Sequence, residues 1–384
     1  MSRRWRHVMG CCFVLAVGLT LIATDKRHTQ LSLDKFASTM RLALRGDRRA
    51  QTRVGIAFAK GEVVEPNPSE AVRWFSRAAM QGDPFAQHNL GVMLYRGTGV
   101  ERNLTEASNW FEKAAASGLP EAQFNAGCLY EAGLGRPQNF ARAILLFRQA
   151  AESGFAPAQN KLGTMYEEGK GIDRDSAAAV RWFKKSAEQG NAIGEYNLGV
   201  MYWHGAGVPR DFQKAVNWFE RAAQQRNAVA QLILGLQYRD GRGVQQDYHL
   251  ATAWLRKAAE QGNSDAQNKL GALYLEGHNL TADDEQAAAF FAKAAEQGHS
   301  QAQANLATLY KAGRGVPRDL VQAYKWYQLA QRGDRVDRSD RLRDLANSMS
   351  SEQVADAERM VTEWRLAQDS RQAEDGKSMA DLLE

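Results

Sequence analysis

The sequence predicts an all-α protein built from eight helix-turn-helix repeats, and three observations lead to this prediction. One pattern returns every 36 residues without a gap over residues 47–334. Within each period, apolar residues are spaced by four, as in Ala158, Leu162 and Tyr166, which makes one helical stripe. A Gly-x-Gly turn then precedes a second helical segment. Because this turn recurs in nearly every period, it is a construction element rather than a phosphate-binding loop.

The first helix of each repeat, helix A, contains a glycine beside its leucine. We expect this glycine to let the paired helix approach closely, which offsets the ~1 kcal/mol that glycine costs inside a helix. It recurs at positions 55, 91, 127, 163, 199, 235 and 271 and becomes Ala307 in the last repeat. A second glycine, at 61 and every 36 residues to 313, is expected to end helix A in a left-handed conformation.

The second helix, helix B, follows an unbroken row of Asn or Asp residues. These are predicted N-caps, each worth about 1 kcal/mol against alanine, and they are Asn67, Asn103, Asn139, Asp175, Asp211, Asp247, Asp283 and Asp319. Four residues later an alanine recurs, from Ala71 to Ala323, where only a small side chain is expected to fit between the helices. A tryptophan, such as Trp74 or Trp218, is the predicted large core residue of helix B.

The two ends of the chain differ from the repeats. Residues 1–24 combine early arginines with an apolar run from Val8 to Ala23, which predicts a signal peptide or N-terminal membrane anchor. Residues 25–46 contain a predicted capping helix with Leu33, Phe36, Ala37, Met40 and Leu44 on its apolar face. Residues 335–367 are predicted C-terminal capping helices, one of which begins with a capping box from Ser350 to Gln353. Residues 368–384 are a predicted polar tail.

The repeat pattern A-x-x-x-L-G-x-x-Y-x-x-G-x-G-V-x-x-D-x-x-x-A-x-x-W-F-x-x-A-A-x-x-G resembles the Sel-one-like repeat (SLR) family, a relative of the tetratricopeptide repeats. The resemblance covers about three quarters of the chain. It implies a right-handed α/α solenoid, or superhelix, that acts as an adaptor or scaffold for protein complexes.

By resemblance to the tetratricopeptide repeats, a concave groove is lined by one face of each helix A. That face carries the residues three before, one after and four after the helix A glycine. The candidate partner-groove residues are His88, Tyr95, Phe124, Glu131, Glu167, Tyr196, Trp203 and Arg239. Two interpretations of the aromatic members stay open, since they either bind a partner or fill the contact between adjacent helices. The acidic members, with Glu168, favour a basic or amide-rich ligand.

The remaining composition predicts no enzymatic chemistry. The seven histidines show no metal-ligand spacing, and Cys128 is predicted to be a small core residue rather than a reactive thiol. We therefore predict no catalytic, cofactor-binding or metal-binding residue, and no cofactor. A net charge of +5, spread along the chain, gives no nucleic-acid interface.

The predicted function is a non-enzymatic adaptor that binds a partner protein or peptide. The protein is expected to be exported, either periplasmic or attached to the inner membrane of a bacterium through residues 8–23. An alternative is a cell-envelope scaffold for polysaccharide export or wall assembly. A third is a β-lactam-binding relative, but that resemblance depends on paired cysteines in each repeat, which this chain lacks.

Overall fold

The described part of the protein is helical throughout. The structure is a computed structural model, and it describes residues 33–277, 283–333 and 339–380. These residues form nineteen helices and no strand. The predicted signal or anchor segment, residues 1–24, lies outside the described residues. None of the described helices is long and apolar enough to cross a bilayer.

Sixteen of the helices form eight consecutive A and B pairs, as the period predicts. The A helices are α2 (Arg48–Lys60), α4 (Pro84–Arg96), α6 (Pro120–Ala132), α8 (Ala156–Glu168), α10 (Ala192–His204), α12 (Ala228–Asp240), α14 (Ser264–Glu276) and α16 (Ser300–Ala312). The B helices are α3 (Pro68–Met80), α5 (Leu104–Ala116), α7 (Phe140–Glu152), α9 (Ser176–Glu188), α11 (Phe212–Gln224), α13 (Tyr248–Glu260), α15 (Asp284–Glu296) and α17 (Leu320–Gly333). This arrangement confirms an α/α solenoid repeat.

The chain divides into two compact units, and the division falls within α10. The described part of unit 1 comprises residues 33–194 and 377–380, and the described part of unit 2 runs from Glu195 to Gly376. Inside each unit, helices pack against their neighbours in sequence, so most long-range contacts are between adjacent helices. Local packing of this kind makes each repeat dependent on the repeats beside it.

The helix A glycine permits the close A–B contact that the sequence predicts. A β-carbon added at this glycine would lie only 2.7–2.9 Å from the nearest side-chain atom of helix B in all seven repeats that have the glycine. The atom belongs to a phenylalanine ring in six repeats and to Leu255 in the other. In the last repeat Ala307 takes the place of the glycine, and Tyr327 of helix B donates to or accepts from Thr308 Oγ1 at 2.8 Å.

The large core residue of helix B is this phenylalanine rather than the tryptophan before it, which corrects the sequence prediction. The phenylalanines and their replacements are 0–3 % exposed and include Phe75, Phe111, Phe219 and Tyr327. Trp74 and Trp326 are buried, whereas Trp110, Trp182, Trp218 and Trp254 are only half-buried. The alanine row behaves as predicted, since all eight members from Ala71 to Ala323 are 0 % exposed.

The caps confirm the predicted helix boundaries. In all eight repeats the Asn or Asp side chain accepts a hydrogen bond from the backbone N–H three residues later, at 2.8–3.1 Å. The glycine that ends helix A has a φ of 65–72° in every repeat, the left-handed region that glycine favours. Helices A and B are therefore each thirteen residues long, apart from α17.

The second glycine of the Gly-x-Gly turn, two residues after the glycine that ends helix A, has a separate structural role. A β-carbon at Gly135 would lie 2.2 Å from the carbonyl oxygen of Leu104, at the start of the preceding helix B. A β-carbon added at Gly99, Gly171, Gly243 or Gly315 would likewise lie only 2.0–2.7 Å from the first residue of the preceding B helix. The turn thus joins consecutive repeats, in addition to ending helix A.

Capping helices lie at both ends of the described chain. At the N-terminal end, α1 (Leu33–Leu44) buries Ala43 and packs Phe36 and Met40 against the first repeat. The other predicted members of its apolar face, Leu33, Ala37 and Leu44, are exposed, Leu33 to 71 % and Leu44 to 69 %.

At the C-terminal end, α18 (Ser339–Asn347) and α19 (Ser351–Ala380) follow the repeats. The predicted capping box is present, with Ser350 N–H donating to Gln353 Oε1 at 2.9 Å and Gln353 N–H donating to Ser350 Oγ at 3.2 Å. Helix α19 packs Trp364 edge-on against Trp326, with ring centroids 6.4 Å apart. It continues to Ala380, so the predicted polar tail is helical over most of its length.

Candidate partner-binding surface

The aromatic groove candidates of unit 1 are core residues. His88 and Phe124 are 0 % exposed, and Tyr95 is also buried. The His88 ring packs edge-on against Phe111 at 5.6 Å, and Phe124 packs against Phe155 at 5.5 Å. For these three positions the structure agrees with the second interpretation, in which the aromatic side chain fills contacts between helices. They do not present a surface to a partner.

The acidic groove candidates of unit 1 are already paired with cations. Glu131 is 5 % exposed and accepts from Lys161 Nζ at 2.6 Å and Lys170 Nζ at 2.7 Å. Burial by itself raises the pKa of this carboxyl, but the two lysines lower it further than burial raises it, so the net pKa lies below its ordinary value. Glu167 is half-buried and pairs with Arg174 at 2.8 Å. Glu131 therefore joins consecutive repeats, whereas Glu167 pairs within its own repeat, and both carboxylates already have a cationic partner.

The groove candidates of unit 2 have accessible side chains. Tyr196, Trp203 and Arg239 are each half-buried. The Tyr196 ring lies 6.0 Å from the Phe219 ring, so one edge is supported by the core. The Trp203 ring lies 4.4 Å from the ring of Phe212, which is itself exposed at the start of α11. Arg239 forms an ion pair with its neighbour Asp240 at 2.7 Å.

These three residues belong to a longer row on consecutive A helices, which we call the unit 2 stripe. Its members occupy the positions three before, one after and four after the helix A glycine, and all are half-buried. The stripe consists of Tyr196, Val200, Trp203, Leu236, Arg239, Ala272 and Leu275. Spacings of three and four residues place the members from one helix on one side of it. Leu232 and Asn268 occupy the position three before the glycine on the next two A helices but are buried, so the stripe has two large aromatic residues on α10 and mostly apolar residues on α12 and α14.

Two repeated features were missed at the sequence level. A glutamine four residues before the helix A glycine donates from Nε2 to a backbone carbonyl eight residues earlier, at 2.9–3.4 Å, in seven repeats. The remaining repeat, the fifth, has Glu195 here, buried and paired with Arg221 at 2.9 Å. Burial raises the pKa of Glu195, and Arg221 and Gln225 reverse only part of that effect.

The second missed feature is on helix B. In five repeats a Lys or Arg lies three residues after the helix B tryptophan and places its charge over the ring at 4.0–4.7 Å, as Lys113 does over Trp110 and Arg221 over Trp218. The i,i+3 spacing of a cation and an aromatic residue was the signal available in the sequence. The tryptophans of helix B are therefore each covered by a cationic side chain of their own helix, in contrast to Trp203.

The described residues offer little for catalysis. No group of three or more His, Cys, Asp or Glu side chains within them could hold a metal ion. Cys128 is a buried core residue that packs in the cluster of Phe124 and Phe147. An asparagine also recurs two residues before the helix A glycine; Asn89 and Asn125 are buried there, whereas Asn305 is half-buried and donates to Asn268 at 3.0 Å.

Comparison with known proteins agrees with this repeat architecture. The Sel1 repeat profile matches eight consecutive segments, residues 48–83, 84–119, 120–155, 156–191, 192–227, 228–263, 264–299 and 300–330. The chain belongs to the Sel1 repeat family. Proteins of this family generally mediate protein–protein interactions, and their fold is typically a non-catalytic scaffold. A search of curated proteins found no match.

Two solved structures show the same fold. One is c5321, described as a protective antigen of uropathogenic Escherichia coli strains with an SLR fold; it is 35% identical with a TM-score of 0.76, and the alignment covers 86% of this chain and 71% of that one. The other is a Sel1 repeat protein from Oxalobacter formigenes, 30% identical with a TM-score of 0.63, over 84% of this chain and 91% of that one.

Proposed function

We propose that this protein is an exported or membrane-anchored adaptor that binds a partner protein along the unit 2 stripe. The partner segment is an extended peptide or a helix whose apolar side chains meet Tyr196 and Trp203. Arg239 forms an ion pair with Asp240, and the Glu131 carboxylate of unit 1 forms an ion pair with Lys161. The stripe therefore selects by apolar and aromatic contact rather than by charge.

The accessibility of the stripe is the observation that carries this proposal. At the equivalent positions of unit 1, the side chains of His88, Tyr95 and Phe124 are buried and already used in packing. In unit 2, Tyr196 and Trp203 are large aromatic residues at positions where the repeat accepts Asn268 or Leu275. Accessible tyrosine and tryptophan side chains, held from one side by the core, are typical of binding hot spots.

Export rests on the sequence of the first 24 residues, with basic residues before an apolar run. The description of the similar protein c5321 as a protective antigen supports an exported location for this chain as well.

The adaptor proposal is tested by comparing three forms of the full-length chain in cells of its own source. These are the natural protein, the stripe variant Tyr196→Ala with Trp203→Ala, and a control variant Trp218→Ala with Trp254→Ala on the B helices of unit 2. The proteins that co-purify with each are quantified by mass spectrometry. We expect a specific partner to be lost with the stripe variant and kept with the control. Equal recovery of every partner by all three would show that the stripe is not the binding surface.

Purified protein also allows the two alternatives to be tested. Binding of an envelope polysaccharide that survives in the stripe variant, without any stripe-dependent protein partner, would support the scaffold for polysaccharide export or wall assembly. Turnover of a β-lactam would overturn the non-enzymatic assignment.

A further inference from the structure

Helix α1 has an exposed apolar stripe that lies beside the side that packs on the repeats. Leu33, Ala37 and Leu44 are exposed, and they are spaced by four and seven residues. This spacing puts them on one stripe of the helix, three turns long. The buried side of the same helix is formed by other residues, among them Phe36 and Ala43. The exposed leucines are thus additional to those that the capping role requires.

Basic residues lie along the solvent-facing edge of this stripe. Arg41 follows Ala37 by four residues on that edge, and it is exposed. Arg45, Arg48 and Arg49 follow in the turn and at the start of α2, and all three are exposed. Residues 33–49 contain five basic and two acidic side chains, a local excess of positive charge.

We propose that this face of α1 lies against an anionic phospholipid surface, with the leucines in the headgroup boundary and the arginines at the lipid phosphates. Exposed leucines flanked by arginines are the pattern of an interfacial helix. A second copy of this face would account for the leucines but would bring arginines against arginines. Anionic lipid accounts for both features of the surface.

The position of α1 in the chain is consistent with this orientation, and here the inference rests on the proposed membrane attachment. Only nine residues separate Ala23, the end of the apolar run, from Leu33. A chain of nine residues spans at most about 30 Å. If residues 8–23 lie in a bilayer, α1 is held near its surface, where the local concentration of lipid headgroups is high.

The inference is tested with the full-length chain in lipid nanodiscs, using spin-labelled lipids that quench fluorescence near the headgroups. A genetically encoded environment-sensitive fluorophore is placed at Ala37, on the proposed contact face. A control chain carries it at Ala116, an exposed position at the end of α5 in the same unit. Each is compared in phosphatidylcholine discs and in discs that also contain phosphatidylglycerol. A third chain combines the label at position 37 with Arg41→Gln, Arg45→Gln and Arg49→Gln.

We expect quenching at position 37 in the phosphatidylglycerol discs, little quenching at position 116, and loss of quenching at position 37 in the arginine variant or at high salt. Equal quenching in both kinds of disc would mean that the tether alone brings α1 near lipid, and would overturn the electrostatic contact. Absence of quenching in both, or a change in position-37 fluorescence that depends on protein concentration without lipid, would overturn the lipid surface as the occupant. Co-flotation of the chain with discs reports the anchor separately, and circular dichroism confirms that each variant is folded.

Discussion

Replacing Glu131 with Gln tests whether the buried ion cluster of unit 1 stabilises the stack of repeats. Glu131 and Lys161 are both 5 % exposed, and they belong to consecutive A helices. The substitution leaves the Lys161 ammonium buried without its carboxylate 2.6 Å away, while Lys170 is partly exposed and can turn to solvent. Removing one partner of a buried ion pair costs about 3–5 kcal/mol, so Glu131→Gln should destabilise the α6–α8 region by that amount.

The pH dependence follows from the direction of the pKa shift of Glu131. Burial raises this pKa, the two lysines lower it more, and the net value lies below the ordinary 4.5. A carboxyl whose pKa is lowered by folding contributes stability that is present above its unfolded pKa and is lost as the pH falls toward the folded pKa. The difference in stability between the natural protein and Glu131→Gln should therefore be complete at neutral pH and shrink below about 4.5.

Native-state hydrogen exchange of the α6 and α8 amides is the suitable assay, because a stack of repeats need not unfold as one cooperative unit. Glu188→Gln is the matched control, since Glu188 is exposed and pairs with Lys184 at 3.8 Å, and it should cost less than about 1 kcal/mol. Adding Lys161→Asn, the residue that four other repeats have there, should recover part of the loss. A Glu131→Gln effect as small as that of the control at neutral pH would refute the reasoning.

Three further predictions concern packing and the missed glutamine row. Phe219→Ala should cost about 3–5 kcal/mol of unfolding free energy and Trp218→Ala about 1–2, because only the phenylalanine is fully buried; equal losses in urea unfolding would contradict this order. Glu195→Gln should stabilise unit 2 at neutral pH, since burial raises the pKa of Glu195 and its charged form is disfavoured. That gain should fade as acidification protonates Glu195, and a gain independent of pH would exclude this cause. Gly135→Ala and Gly118→Ala share the cost of a positive φ, but only at Gly135 would the added β-carbon lie 2.2 Å from a backbone atom, the carbonyl oxygen of Leu104. The Gly135 variant should therefore lose about 1–3 kcal/mol more, and thermal melts of the pair should differ accordingly.

The sequence predicted the features of the fold that every repeat shares. The caps at Asn67 and its equivalents, the terminating glycines and the close A–B contact at Gly163 follow from local rules that act within one repeat. The choice between tryptophan and phenylalanine as the core residue did not follow, because adjacent residues such as Trp218 and Phe219 differ by only 100° around a helix. A small rotation of helix B decides which one is buried.

The candidate surface was predictable only in part. The positions of the stripe came from the repeat spacing, but the depth of each side chain depends on how the next repeat packs over it. Phe124 is covered by Phe155, whereas Trp203 keeps an accessible face beside Phe212. The pairing of Glu131 with Lys161 was also hidden in the sequence, since it joins residues of different repeats that break the repeat pattern in complementary ways.

The proposed partner-binding role of the unit 2 stripe is tested most directly by photo-crosslinking in cells from position 203. A photo-reactive amino acid replaces Trp203, and a control chain carries it at Trp218, on a B helix of the same unit. We predict one dominant crosslinked protein from position 203, absent from position 218 and identified by mass spectrometry. Crosslinks to no protein from position 203, or the same set of proteins from both positions, would contradict an adaptor that binds through this stripe.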